Sequence, residues 1–380
     1  MTQPFVQPEF ISAQTDWDDL AKRLTGAKHL ALDLESNGYF RYPERICLLQ
    51  IAVEEGIYLV DTLTVRDLRA LGSLLNDAHC LKIMHACDND LRVLDRDYGF
   101  RVRSVYDTAV AARFTGLDRL GLATVLQTVL GIELPKSKAL QRQDWTLRPL
   151  AKSSLEYAAG DVAYLFDLQA ELNQRLQALG RSEWVREECE RMEAIRRAPE
   201  TRPEDLLWSI SGSRSLTNRE RAVLRELVMW RDRLCRQADR VPFRVVSDEV
   251  LLGLARDPKQ DFQALKELNA VRALGALSSL RQALNQGRTA PPIPLPATQA
   301  GRRQRRSPAF LRRLKELKAW RVSKGKALGL DQAVIWPLPS LERMAENPSL
   351  ETPNGEVRQW QHTEFSREVE HLLRVWEGES

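Results

Sequence analysis

One short stretch, His29-Leu30-Ala31-Leu32-Asp33-Leu34-Glu35, limits what this chain can fold into more than any other. It is brief, mostly apolar and closed by the turn residues Ser36-Asn37-Gly38, so it reads as a β-strand. Side chains alternate along a strand, which puts Asp33 and Glu35 on one face and Leu34 on the other. Two like charges held side by side on a sheet repel unless a cation lies between them. A D-x-E pair also occurs where a strand simply runs into an acidic turn, so the pair points to a metal only in company.

The neighbouring chain predicts the frame that holds it. Residues 46–53 and 57–60 read as two more strands joined across Glu54-Glu55-Gly56, which makes an antiparallel meander with 29–35. A short helix over 15–26 precedes them. Helical periodicity takes over at 65–76 through Val65, Leu68, Leu71, Leu74 and Leu75. A strand is expected at 82–85, followed by helices around Leu91, Val93 and Leu94, at 106–114, at 120–130, and as one long helix at 152–179. Strands first, then alternation, then helices predict a mixed α/β sheet flanked by helices.

At 380 residues the chain is too long for one ordinary core. A first unit is expected over 1–200, a helical block over 205–286, a Pro/Arg-rich linker over 287–307 carrying Pro291, Pro292, Pro294 and Pro296, and a last block over 308–380. The two C-terminal blocks repeat each other at a constant offset of 90. Leu224, Glu226, Leu227 and Trp230-Arg231 match Leu314, Glu316, Leu317 and Trp320-Arg321; Val245, Leu251, Ala255 and Pro258 match Ile335, Leu341, Ala345 and Pro348. Prolines 337 and 339 depart from the first copy.

Five cysteines with no C-x-x-C pair argue against a disulfide framework or a zinc ribbon and for a reducing compartment. No signal peptide is visible at the N-terminus and no apolar run reaches membrane-spanning length, so the cytoplasm is the expected location. The net charge of +4 is nearly balanced, but residues 301–330 carry eleven Lys or Arg against one acid, Glu316. Arg302, Arg303, Arg305 and Arg306 lead that run. A charge run is often just a solvated tail; it is also a candidate to bind phosphate.

Two more clusters supply the company that the first pair needs. His85-Ala86-Cys87-Asp88-Asn89-Asp90 lies between a strand and a helix, where Asp88 reads as an N-cap and Asp90 as a first-turn carboxylate that can reach the strand ends. Tyr157-Ala158-Ala159-Gly160-Asp161 sets a phenol and a carboxylate on one helix face, with small residues between them that let this face approach a neighbour. Together Asp33, Glu35, Asp90 and Asp161 offer a cage of hard oxygen ligands, which suits Mg²⁺ or Mn²⁺ rather than zinc. Four carboxylates around two such ions are what two-metal phosphodiester cleavage needs.

With these residues in view, the sequence resembles the ribonuclease D family of the DEDD superfamily of 3′–5′ exonucleases. The resemblance rests on Leu32-Asp33-Leu34-Glu35 with Leu48-Leu49-Gln50-Ile51, on Lys82-Ile83-Met84-His85-Ala86 through Asp90-Leu91, and on Tyr157-Ala158-Ala159-Gly160-Asp161-Val162 with Tyr164-Leu165. It places the metal ligands at Asp33, Glu35, Asp90 (not Asp88) and Asp161. Glu156 stands where one subclass has histidine, and Tyr157 where the other has tyrosine, so the chain resembles the tyrosine subclass. Asp107-Thr108 and Asp144-Trp145 with Arg148-Pro149-Leu150 match family segments read as supporting structure. Residues 216–284 are similar to the helicase-and-RNase-D C-terminal (HRDC) domain, which makes 308–380 a second, divergent copy.

The resemblance implies an RNase H-like exonuclease domain followed by two small all-α HRDC-type domains. It implies a metal-dependent hydrolase that removes nucleotides from a free RNA 3′ end and releases 5′-monophosphates. Precursors of tRNA and other small structured RNAs are the implied substrates. Tyr157 would orient the attacking water, and Tyr39 and Phe40 after the first motif are candidates to stack on terminal bases, although packing of their turn explains them equally. The rivals are a DNA 3′–5′ exonuclease of the same superfamily and a non-catalytic nucleic-acid-binding scaffold. Absence of a polymerase domain disfavours the first; presence of all four carboxylates disfavours the second. The choice between Mg²⁺ and Mn²⁺ is not written in the sequence, and of the oligomeric states a monomer is favoured.

Overall fold

The computed structural model describes residues 7–134, 138–199, 201–259, 265–296, 306–350 and 355–377. Among these, six strands form one sheet: β1 (Glu9–Ile11), β2 (His29–Ser36), β3 (Ile46–Val53), β4 (Gly56–Val60), β5 (Leu81–Met84) and β6 (Val105–Asp107), in the order β1-β4-β3-β2-β5-β6. The expected meander is present: β3 runs antiparallel to both β2 and β4. The remaining pairs, β1 with β4, β2 with β5 and β5 with β6, are parallel, so the sheet is mixed.

The sheet has two covered faces, and alternation on β2 assigns them. Leu30 and Leu32 enter a core built with α1 (Gln14–Leu24), α2 (Arg69–Asn76) and α3 (Asp88–Tyr98). Ala31 enters the opposite core, shared with α4 (Thr108–Phe114), α5 (Leu122–Leu130), α7 (Lys152–Ala163), α8 (Leu165–Ala178) and α9 (Ser182–Met192); the short α6 (Lys138–Gln141) has no buried residue. Asp33 and Glu35 share the parity of Ala31 and therefore face α7.

The anticipated long helix over 152–179 is two helices. Tyr164, with φ −116° and ψ 10°, leaves the helical region and separates α7 from α8. The break lets α7 lie across β2, β3 and β4 while α8 turns to pack on α4 and α5. Buried Ala158, Ala159 and Gly160 bring α7 close to the strands. The helix expected at 106–114 also divides: residues through Asp107 form β6, and Asp107 then caps α4, accepting the N–H groups of Ala109 and Val110. The helix over 65–76 begins at Arg69.

The C-terminal region is helical: α10 (Asn218–Ala238), α11 (Pro242–Val245), α12 (Asp248–Arg256), α13 (Asn269–Ala273) and α14 (Leu277–Thr289), then α15 (Pro308–Leu328), α16 (Gln332–Ile335), α17 (Leu338–Glu346) and α18 (Gln359–Glu377). The 90-residue offset holds at both ends of three helices: α15, α16 and α17 start and stop 90 residues after α10, α11 and α12. The caps repeat too, with Thr217 and Ser307 each accepting the backbone N–H three residues on. Pro337 and Pro339 fall at the start of α17, where a missing N–H has no helical partner to lose.

The two copies meet the sheet domain differently. The first has its own core around Leu224, Leu227, Trp230 and Leu251. The second adds Phe310, Trp336, Trp360 and Trp376 to the core that α4, α8 and α9 already share. Trp360 stacks on Trp184 with ring centroids 4.5 Å apart, Arg358 pairs with Glu188 at 2.8 Å, and Arg181 donates to the Phe114 and Leu328 carbonyls.

Candidate active site

Three of the expected ligands meet. One carboxylate oxygen from each of Asp33, Glu35 and Asp161 lies within 4.8 Å of the other two. The strand supplies the first two from one face; α7 lays the third over them. Asp90, in the first turn of α3, stands outside this triplet but within electrostatic reach of it. Asp33 raises its carboxyl and it raises that of Glu35. Asp33 is the one carboxylate of the four that acts electrostatically on all three of the others.

Burial is the largest cause of every shift here, and like charge adds to it at Glu35, Asp90 and Asp161. The Asp33 carboxyl is pushed up to about 7, against a weaker opposing hydrogen bond from the Leu34 N–H. Asp161 rises to about 8, by burial and then by Asp33. Glu35 and Asp90 lie well above the ordinary carboxylate range. Partly buried carboxylates that repel one another, with no cationic side chain among the causes of their shifts, fit hard divalent cations.

The Tyr157 phenol is pushed up by burial and then by Asp161, Glu35 and Asp33, so it stays protonated and able to donate. Its ring lies 6.4 Å from that of Trp145. The Trp145 indole is buried, and its N–H has no hydrogen-bond partner among the described residues. It is nonetheless close enough to Glu35 to favour the charged carboxylate.

The other family segments hold this floor in place. Asp107 is fully buried and accepts the N–H groups of Ala86, Cys87, Ala109 and Val110, joining the loop before α3 to the start of α4. That loop is strained at Ala86, with φ 53°, and its two bonds to Asp107 offset part of the cost. Arg148 binds both oxygens of buried Asp61, at 2.6 and 2.7 Å, and the Trp145, Leu147 and Cys47 carbonyls. This fork fixes the loop that delivers Trp145. Asp88 is the first residue of α3 rather than its cap, and pairs with Arg92 at 2.9 Å on the surface.

The RNA-contact candidates are dispersed. Tyr39 and Phe40 pack edge to face, at 5.4 Å, in the loop after β2. Arg306 pairs with Glu346 and lies over the Phe310 ring at 4.4 Å, so its charge is partly met within the protein. Arg302, Arg303 and Arg305 lie outside the described residues. No helix among the described residues is long and apolar enough to cross a membrane.

Comparison with known proteins agrees with this arrangement. The 3′-5′ exonuclease family matches residues 8–177, and the HRDC domain matches residues 220–276. A ribonuclease D of Gluconacetobacter diazotrophicus is 30% identical over 374 residues, covering 96% of this chain and 92% of the relative. One of Xanthomonas oryzae is 32% identical over 375 residues, covering 95% and 98%. The fold is shared with the crystal structure of Escherichia coli RNase D, at a TM-score of 0.71 and 24% identity over 97% of this chain and 99% of that one. From sequence and fold together, the chain belongs to the ribonuclease D family and is a 3′–5′ exoribonuclease of the DEDD superfamily.

Proposed function

We propose that Asp33, Glu35, Asp90 and Asp161 hold two divalent cations, Mg²⁺ or Mn²⁺, over which this chain hydrolyses the last phosphodiester of an RNA 3′ end and releases a 5′-monophosphate. The observation that carries this reading is the convergence of the Asp33, Glu35 and Asp161 oxygens within 4.8 Å. When bound, the cations supply Lewis acidity, which lowers the pKa of water and offsets charge on attacking and leaving oxygens.

The side chains divide the remaining work. Tyr157, one helical turn before Asp161, holds the attacking water by a hydrogen bond and is too weak an acid to serve as the base. The Trp145 indole N–H, which has no other partner among the described residues, is placed to donate to Glu35. Tyr39 and Phe40 offer ring faces to bases of the strand that leads into the 3′ end. The substrates are single-stranded 3′ extensions on structured RNA, with 3′ maturation of tRNA precursors the leading case, in the cytoplasm, by a monomer.

Titration calorimetry with Mn²⁺ tests the ligand set without relying on turnover. The wild type is expected to bind two ions per chain. Asp33→Ala is expected to weaken both sites, because Asp33 acts on each of the other three carboxylates, and Asp161→Ala to weaken one. Unchanged Mn²⁺ binding in Asp33→Ala would contradict the assignment.

A further inference from the structure

The loop that follows Glu35 is grasped by the first helical repeat. Tyr42 donates its hydroxyl to Asp232 on α10, the Tyr42 N–H binds Asp239, and Arg41 pairs with both Asp144 and Asp239. These contacts set α11 beside Tyr39 and Phe40. Phe243 on α11 lies 5.7 Å from Tyr39, and the Arg244 guanidinium lies 5.0 Å from the Tyr39 ring, 4.3 Å from Phe40 and 5.8 Å from Phe243.

Two features separate this cluster from an ordinary domain contact. Tyr39 is 48% exposed and Phe243 54%, so neither ring is used up by packing. Arg244 also differs from three neighbouring arginines. Arg41, Arg231 and Arg236 each hold a carboxylate, whereas no carboxylate pairs with Arg244 among the described residues. A guanidinium laid on aromatic rings keeps its N–H donors at the edge, in the geometry that takes a phosphate bidentately.

Position names the occupant. Tyr39 is four residues beyond Glu35, so it lies within about 14 Å of that ligand by the reach of an extended chain. RNA whose 3′ end is in the carboxylate cage must leave the site past its rim. We propose that Tyr39 and Phe40 of the catalytic domain and Phe243 and Arg244 of the first helical repeat form one composite site for the single strand upstream of the 3′ end, with bases on the exposed rings and a phosphate on Arg244. The site rests on the exoribonuclease reading and adds to it a ligand contact from the helical repeat at the mouth of the catalytic domain. It gives that repeat a direct hand in substrate selection: RNA long enough to reach α11 is favoured over shorter ends.

The test uses the full chain and two single-stranded oligoadenylates, a trinucleotide and one of about twelve nucleotides, within the span that single-strand sites cover. Phe243→Ala is expected to raise KM for the longer RNA roughly 5- to 150-fold, the effect of losing one stacked base, and to lower the long-to-short ratio of kcat/KM. Arg244→Gln is expected to reduce the salt slope of binding to the longer RNA by about 0.7, and Arg244→Lys to restore it. Phe243→Trp should keep the length preference, which separates stacking from simple loss of fold. Equal losses on both RNAs, with no rescue by Arg244→Lys or Phe243→Trp, would overturn the site in favour of a purely structural domain contact. Unchanged KM and slope in every variant would overturn it as well. A wild type that shortens neither RNA would instead remove the exoribonuclease reading beneath it.

Discussion

Replacing Asp33 by asparagine is expected to abolish RNA hydrolysis and, in the metal-free protein, to stabilise the fold above neutral pH. Carboxylate oxygens of Asp33, Glu35 and Asp161 sit within 4.8 Å of one another. At an effective dielectric of about 20, one ionised pair at that separation repels by ~3.5 kcal/mol. The sign follows from the direction of the shifts. Asp33 and Asp161 rise from 3.8 to about 7 and about 8, so the folded state holds their protons more tightly than the unfolded one. Their contribution is fully present below the unfolded value and is lost as pH rises through the folded values. Asparagine removes one charge from the cluster but keeps the shape. Relaxation and proton sharing reduce the gain to about 1–3 kcal/mol near pH 8.5, shrinking toward zero near pH 4. Denaturant melts in EDTA, followed by tryptophan fluorescence at both ends of this range, read the difference directly. Added Mn²⁺ should stabilise the wild type and do little for Asp33→Asn. An Asp33→Asn protein less stable than wild type near pH 8.5, or a metal-free wild type no less stable there than near pH 5, would refute the charge argument.

Tyr157→Phe should lower kcat by roughly 10- to 1000-fold with little change in KM, as measured by steady-state turnover, since only the hydroxyl proposed to hold the water is lost. Arg148→Ala strands the buried Asp61 carboxylate and should cost about 3–5 kcal/mol in a denaturant melt; Asp61→Asn in the same chain should recover part of it. Trp360→Ala removes the ring stacked on Trp184 and should cost about 3–5 kcal/mol, with a melting temperature that falls for the catalytic domain as well as for the last repeat.

Much of this site was legible in the residues because its chemistry is local. Alternation alone puts Asp33 and Glu35 together, and helical spacing alone puts Tyr157 over Asp161. The 90-residue offset was equally plain, and three helix pairs reproduce it residue for residue. What the sequence hid was short or long-range. Strands β1 and β6 have three residues each, too few to show a period, and Tyr106 and Asp107 of β6 read as the start of the helix that follows. The break at Tyr164 lies within a continuous helical pattern, since α7 and α8 have different partners rather than different periodicity. Arg148 with Asp61, 87 residues apart, and Arg244 with Tyr39 are pairs that only the folded chain brings together. The packing of the last repeat into the catalytic core was hidden for the same reason; a proline-rich stretch reads as a tether, yet Ile293 within it donates to the Asn218 carbonyl.

The most direct measurement of the central claim follows a 5′-labelled RNA through time with Mg²⁺, with Mn²⁺ and with EDTA, and identifies the released nucleotide. The account predicts a ladder that shortens one nucleotide at a time from the 3′ end, nucleoside 5′-monophosphate as product, full arrest in EDTA, and no ladder from Asp161→Asn. Internal cleavage products, release of nucleoside 3′-phosphates, or an undiminished ladder in EDTA would contradict it.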